Sequence, residues 1–207
     1  MYRRIVMMED GTKPRESIQP GSPPALGDVV GRGELLALRW NPDIDLDSGT
    51  LTVARSLEQT KAIGLRFKGP KTKYGRRTIA LPASAVAELH AHRKAQLELR
   101  VAAGLGKAPD DALVFGHYTG EPRSPNATTK EWIRLVTDLK LPNVTLHALR
   151  HTHASQLIAA GTDVVTVSRR LGHGSPAITL KVYAHHQFEK KSDANAAAIV
   201  DASLSGL

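Results

Sequence analysis

The hydrophobic pattern changes period near residue 83, and that change restricts the chain to a few kinds of fold. Before it, apolar residues alternate with polar ones in short runs. GTLTVARS sets Leu51 and Val53 between Thr50 and Thr52, and the runs AIGLRF (62–67) and RTIALP (77–82) are also read as strands. Alternation sends successive side chains to opposite faces, which is the signature of a strand. Between the second and third runs, KGPKTKYGR carries Gly69-Pro70 and Gly75, which mark a turn. A small three-stranded antiparallel sheet with a long basic β-hairpin is therefore expected.

After residue 83 the period becomes that of a helix. Over 84–103, Val86, Leu89, Leu97 and Val101 share one face, and Gly104 closes the segment. Ser124-Pro125 reads as an N-cap followed by proline at the first helical position, opening a helix with Trp132, Ile133, Leu135 and Val136. Another helix starts at TLHALRHTHASQL and runs to Gly161. A short one over 164–171 is stopped by Gly172, and Ser175-Pro176 opens ITLKVYAHH. Upstream, GELLALRW (33–40) reads as the last two turns of a helix ended by Asn41-Pro42. The fold class expected is α+β, mainly α.

Residues 1–31 differ from the rest. Pro14, Pro20, Pro23 and Pro24 alternate with Gly11, Gly21, Gly27 and Gly31, and no periodic pattern survives among them. This segment reads as a flexible leader. Residues 32–207 read as one domain ending in an Ala-rich tail helix from about residue 188.

Composition excludes several functions. The chain of 207 residues has no cysteine, so a disulfide scaffold, a thiolate metal site and a cysteine nucleophile are excluded together. That also fits a cytoplasmic protein. No run of about 18 apolar residues offers a membrane span. Aromatic residues are only 4% of the chain, so Leu, Val, Ile and Ala must build the core. The formal net charge of +8 points to a polyanionic partner, nucleic acid first.

Part of that charge is concentrated. Lys61, Arg66, Lys68, Lys71, Lys73, Arg76 and Arg77 fall within seventeen positions that contain no acid. Such a hairpin repels itself unless water or phosphates neutralise it, and backbone phosphates of DNA are its natural contact.

TLHALRHTHASQL concentrates a second kind of chemistry: His147, Arg150, His151 and His153 within seven positions. On a helix, His147 shares a face with both Arg150 and His151. The i, i+4 histidine pair has the spacing of helical zinc ligands, but those sites add a catalytic glutamate beside the first histidine. Here Arg150 lies inside the pair and opposes a cation, and no acid is near to complete a ligand shell. Metal binding is not expected. An oxyanion site fits better, because a guanidinium presents a rigid fork of donors and an imidazole adds one more. Downstream, LGHGSPAITLKVYAHH supplies His173 and, ten residues later, Tyr183. Tyr183 is either a core residue with a satisfied hydroxyl or a nucleophile toward phosphorus.

Taken as a set, HALR, then RRLGH, then TLKVYAHH resembles the catalytic domain of the tyrosine recombinases, the integrase family of phages and mobile elements. GELLALRWNPDIDLDSGTLTV and PKTKYGRRTIALP extend the resemblance from about residue 33 to 186. It implies site-specific DNA recombination or integration. Tyr183 attacks the scissile phosphodiester and forms a 3′-phosphotyrosyl bond. Arg150 binds the non-bridging oxygens, His147 assists as an acid/base group, and His173 donates to the phosphate. A hairpin lysine protonates the leaving 5′ oxygen, with Lys71 indicated by the motif and Lys73 next to it. Lys68, Lys73, Arg76 and Arg77 are expected to contact DNA. The resemblance implies no metal or other cofactor, double-stranded DNA as partner, and a bacterial or phage-type, DNA-associated protein in the cytoplasm. It also suggests a tetramer on DNA held by the C-terminal helix, against the simpler packing of that helix on its own domain.

Two departures matter. The family places its first catalytic arginine three residues before the glutamate of the GE pair, where this chain has Gly31. Arg32 follows one residue late, about 100° away around a helix. Losing one oxyanion donor of this kind costs roughly 10²–10³ in rate. The second departure is that integrases precede this domain with helical DNA-binding domains, for which residues 1–31 leave no room. An impaired mobile-element remnant with weak affinity for duplex is the expectation. Two rival readings are a non-catalytic DNA-binding protein, since HASQLIAAGTDVVTVSRRLGH also reads as helix–turn–helix, and a topoisomerase-like nicking and closing enzyme.

Overall fold

The computed structural model describes residues 29–70, 73–141 and 144–187, with side chains described as far as Lys181, apart from that of Lys73. Most of the leader, Lys71 and the tail helix expected from about residue 188 lie outside the described residues.

The chain enters through two short helices, α1 (Arg32–Leu35) and α2 (Trp40–Asp43). Asn41-Pro42 does not end a helix here; it sits in the first turn of α2, where a proline nitrogen needs no hydrogen bond. Gly33 is required at the next layer: a Cβ there would lie 2.5 Å from the Leu57 carbonyl oxygen, so only glycine lets α1 rest on the strand beneath it.

Five strands form two sheets. Ile44–Asp45 (β1), Thr50–Val53 (β2) and Arg77–Ala80 (β5) make an antiparallel sheet in the order β1-β2-β5. Leu51 pairs with Ile79, and these two side chains and Val53 are buried, while the hydroxyls of Thr52 and Thr78 meet at 2.9 Å on the opposite face. The other sheet is a hairpin of Ser56–Thr60 (β3) and Gly64–Lys68 (β4). The strand expected at 62–67 thus pairs with β3, not with 77–82. The run KGPKTKYGR is consequently a link between two sheets, with a 3₁₀ turn at Lys73–Gly75. β3 escapes a periodicity search because SLEQT offers a single apolar residue, Leu57, and only that side chain enters the core.

Five longer helices follow: α3 (Ala83–Ala102), α4 (Pro125–Asp138), α5 (Leu146–Ala159), α6 (Val164–Leu171) and α7 (Pro176–Gln187). Four of the starts rest on side-chain caps: Ser124 accepts from the Ala127 N–H at 3.2 Å, Thr145 from Ala148 at 3.0 Å, Asp163 from Thr166 at 2.8 Å, and Ser175 from Ala177 at 3.2 Å. Each cap fixes one otherwise unpaired donor and contributes about 1 kcal/mol. The main core joins Leu35, Leu36, Leu38 and Trp40 to Leu51, Val53, Ile79, Leu89 and Val114. A second cluster of Ala154, Val167 and Leu171 packs α5 on α6. None of the described helices is long and apolar enough to cross a membrane.

One side chain ties the sheet to the helices. The guanidinium of Arg77 forks onto both carboxylate oxygens of Glu34, at 3.0 and 2.9 Å. Its other N–H groups reach the carbonyls of Arg170 (2.8 Å), Gly75 (3.2 Å) and Val29 (3.2 Å). Only 7% of this side chain is exposed. Removing one partner of a buried pair leaves the other charge stranded, which typically costs about 3–5 kcal/mol. Arg77→Ala is accordingly expected to lower the unfolding free energy by about that amount in a denaturant titration, with Arg77→Lys recovering little because an ammonium cannot match the fork. A loss below about 1 kcal/mol, the scale of an exposed pair, would contradict this reading.

Candidate catalytic site

Helix α5 positions three of the sequence-selected residues. With Thr145 at its N-cap, His147 falls in the first turn, and Arg150 and His151 follow on the same side. The rings of His147 and His151 meet edge-on, with centroids 4.4 Å apart. Arg150 donates from Nη1 to the Val29 carbonyl at 3.0 Å and from Nη2 to the Leu171 carbonyl at the end of α6. Val29 thereby receives both Arg150 and Arg77.

His173 approaches from the other direction. Gly172 ends α6 in the left-handed conformation (φ 72°), and the His173 N–H then closes onto the Ser168 carbonyl at 3.0 Å. Glycine is needed twice over at this turn, because a Cβ would also lie 2.7 Å from Nη1 of Arg77. The His173 imidazole bonds through Nδ1 to the Thr179 hydroxyl at 2.8 Å. Burial, then the charges of Arg150 and Arg77 and the neighbouring His151 and His147, hold its pKa below the usual imidazole range. His151 is lowered too, first by burial and then by His147 and Arg150. The structure therefore brings His147, Arg150, His151, His173 and Arg77 into one electropositive neighbourhood. Neutral imidazoles beside guanidinium groups can donate hydrogen bonds to an oxyanion. Among the described residues, no group of three or more histidines and acids could hold a metal ion.

The remaining candidates are spread out. Tyr183 lies on α7, ten positions after His173 and four after Thr179. Arg32 is exposed and donates to the Thr129 hydroxyl on α4. Gly31 occupies the turn before α1, its N–H on a Glu34 oxygen at 2.9 Å. Its extended backbone (φ −71°) and ordinary surroundings, with Glu34 Oε2 at 3.7 Å from a built Cβ, leave room for a Cβ without backbone strain. Lys68 pairs with Glu58, as does Arg66 across the hairpin. The acid lies just outside the basic run, so the run's charge is partly compensated from β3. Arg76 is exposed and Lys73 stands in the 3₁₀ turn. Arg77 was expected at a DNA surface and is instead the buried brace. Its place was readable from register: it stands two residues before Ile79 in a strand, on the core side, whereas Arg76 does not. Thr179 was not selected from the sequence.

His153 leaves the cluster. It is buried, accepts from Nε of Arg170 at 3.2 Å, and has a pKa lowered to about 4 by burial and by Arg170 and Arg150. Arg170 also reaches the Ala80 carbonyl at 3.1 Å, so this pair clamps α5 and α6 to β5. Because the folded pKa is below the ordinary 6.5, the unfolded chain takes up the proton first. His153 therefore favours the folded state fully above about pH 6.5, and that contribution is lost as pH falls toward about 4. His92, His151 and His173 act with the same sign. Denaturation midpoints should fall across this window, and His153→Gln should flatten the slope without abolishing it. An unchanged slope would show that His153 is not the buried neutral group described.

Residues 30–190 match the model of the phage integrase family. A XerC-like tyrosine recombinase of Caldanaerobacter subterraneus subsp. tengcongensis is 32% identical over 180 residues, covering 82% of this chain and 46% of that protein. The ICEBs1 integrase of Bacillus subtilis is 31% identical over 154 residues, covering 74% of this chain and 40% of that protein. The chain thus spans less than half the length of these curated relatives. Among solved structures, the integrase of transposon Tn1549 in complex with a circular intermediate DNA superposes with a TM-score of 0.66 at 23% identity, over 84% of this chain and 55% of that one. The XerH site-specific recombinase bound to difH substrate gives 0.55 at 26% identity, over 80% and 41%.

Proposed function

The chain belongs to the phage integrase family, and from that premise we propose that it cuts and rejoins DNA strands through a phosphotyrosyl intermediate on Tyr183, as a domain of a site-specific recombinase of a mobile element. Its fold is that of the tyrosine recombinase catalytic domain, α+β and mainly α. The observation that carries the proposal is the shared neighbourhood of Arg150, His147 and His173, with His173 bonded to the helix that bears Tyr183.

The roles follow from chemistry. A free tyrosine has a pKa near about 10, so an attacking phenol must lose its proton as it reacts. His147 is the acid/base group for that transfer. Arg150 and His173 donate to the non-bridging oxygens, where negative charge grows in the transition state. Lys71, or Lys73 beside it, protonates the departing 5′ oxygen. Exposed cations such as Arg76 contact the phosphate backbone of the duplex, an attraction that weakens with salt. The acting form is a tetramer on double-stranded DNA joined through the C-terminal helix, in the cytoplasm. No metal or other cofactor takes part in this scheme.

Gly31 sets the rate. Arg32 is bonded to Thr129 on α4, so the cluster has Arg150 and no arginine at position 31. The backbone of residue 31 admits a side chain without strain and lies two residues from the Val29 carbonyl that receives Arg150.

A nicked suicide substrate carrying the core site tests the proposal. The expected outcome is a slow covalent protein–DNA adduct, absent in Tyr183→Phe and formed about 10²–10³ faster in Gly31→Arg, the scale of one oxyanion donor. If neither the natural chain nor Gly31→Arg forms an adduct, while Tyr183→Phe retains sequence-specific binding, the protein is a non-catalytic DNA binder and the proposal falls.

A further inference from the structure

Thr179 is fully buried, and its hydroxyl lies 2.8 Å from Nδ1 of His173. Buried hydroxyls are held where they have partners, and this one meets an imidazole. The proton on an imidazole is placed by the bond its other nitrogen makes. His173 is fixed from both sides: its N–H rests on Ser168 at the end of α6, and its ring rests on α7. Burial and the surrounding positive charge keep the ring neutral at neutral pH, so it carries one N–H. Were that hydrogen on Nδ1, the lone pair of Nε2 would face any phosphate oxygen beyond it and repel it. With the threonine hydroxyl donating to Nδ1, the hydrogen sits on Nε2 and the ring donates outward.

Resting on the recombinase reading above, we propose that Thr179 is a positioning residue for the cleavage step: its hydroxyl donates to Nδ1 of His173 and holds the ring as the Nε2–H tautomer that hydrogen-bonds the scissile phosphate. The same bond joins the phosphate-facing imidazole to the helix of the nucleophile. Thr179 stands four residues before Tyr183, about one helical turn. A shift of α7 along its axis is therefore felt at His173.

Two substitutions separate the hydroxyl from its packing. Thr179→Val keeps the shape and removes the donor; Thr179→Ser keeps the donor and removes one methyl group. Melting curves establish that both fold. Nitrogen chemical shifts of the full chain labelled in histidine, with His173 assigned from His173→Gln, report the tautomer without DNA. The natural chain and Thr179→Ser should show the Nε2–H form with a hydrogen-bonded Nδ1, and Thr179→Val should lose that bond. On the nicked substrate, Thr179→Val should form the Tyr183 adduct roughly 10- to 100-fold more slowly, as when a histidine loses its orienting partner, with duplex affinity unchanged and with Thr179→Ser recovering most of the rate. An Nδ1–H form in the natural chain overturns the proposal, as does a serine variant as slow as the valine one. A natural chain that forms no adduct removes the recombinase reading, while the nitrogen shifts still decide the bond between Thr179 and His173.

Discussion

Five N–H bonds leave the guanidinium of Arg77, and they end on four separate parts of the chain: Val29, Glu34, the 3₁₀ turn at Gly75, and the end of α6 at Arg170. A charge this deeply covered is tolerated because each of its donors has an acceptor and one acceptor is a carboxylate in bidentate register. The arrangement makes the sheet, the entry helix and the helical half mutually dependent. Glu34 cannot reach Arg77 unless α1 lies on β3, which requires Gly33. A side chain at Gly172 would displace Arg77, whose Nη1 lies 2.7 Å from where its Cβ would stand.

The same constraint shapes the electrostatics of the site. Arg77 contributes charge to the surroundings of His173, but Glu34 neutralises it locally, and its N–H groups are taken by the protein. Arg150 is held through Nη1 by the Val29 carbonyl and through Nη2 by the Leu171 carbonyl. Burial and the neighbouring positive charge favour the neutral form of His151 and His173, which leaves each ring able to donate a hydrogen bond to an oxyanion.

Much of this was legible in the sequence, for identifiable reasons. Ser124, Thr145, Asp163 and Gly172 mark helix ends because capping chemistry is local and needs no knowledge of the fold. His147, Arg150 and His173 stand together in the sequence only through the resemblance of HALR and RRLGH to the recombinase motifs, and the structure sets the three in one neighbourhood. The misread parts depend on partners distant in sequence. The strand at 62–67 was paired with the wrong neighbour because β3 presents one apolar residue and looks like a loop. Arg77 was counted with Lys68 and Arg76 because a charge run does not say which of its members faces inward; only the strand phase set by Ile79 does. Thr179 is one residue in an apolar helix, and nothing local announces that its hydroxyl meets an imidazole six positions earlier.

The carbonyl oxygen of Val29 accepts from Arg77 and from Arg150. Two guanidinium groups on different elements, β5 and α5, thus end on one main-chain oxygen, so the strand and the helix that carry them are fastened to the same point of the entering chain.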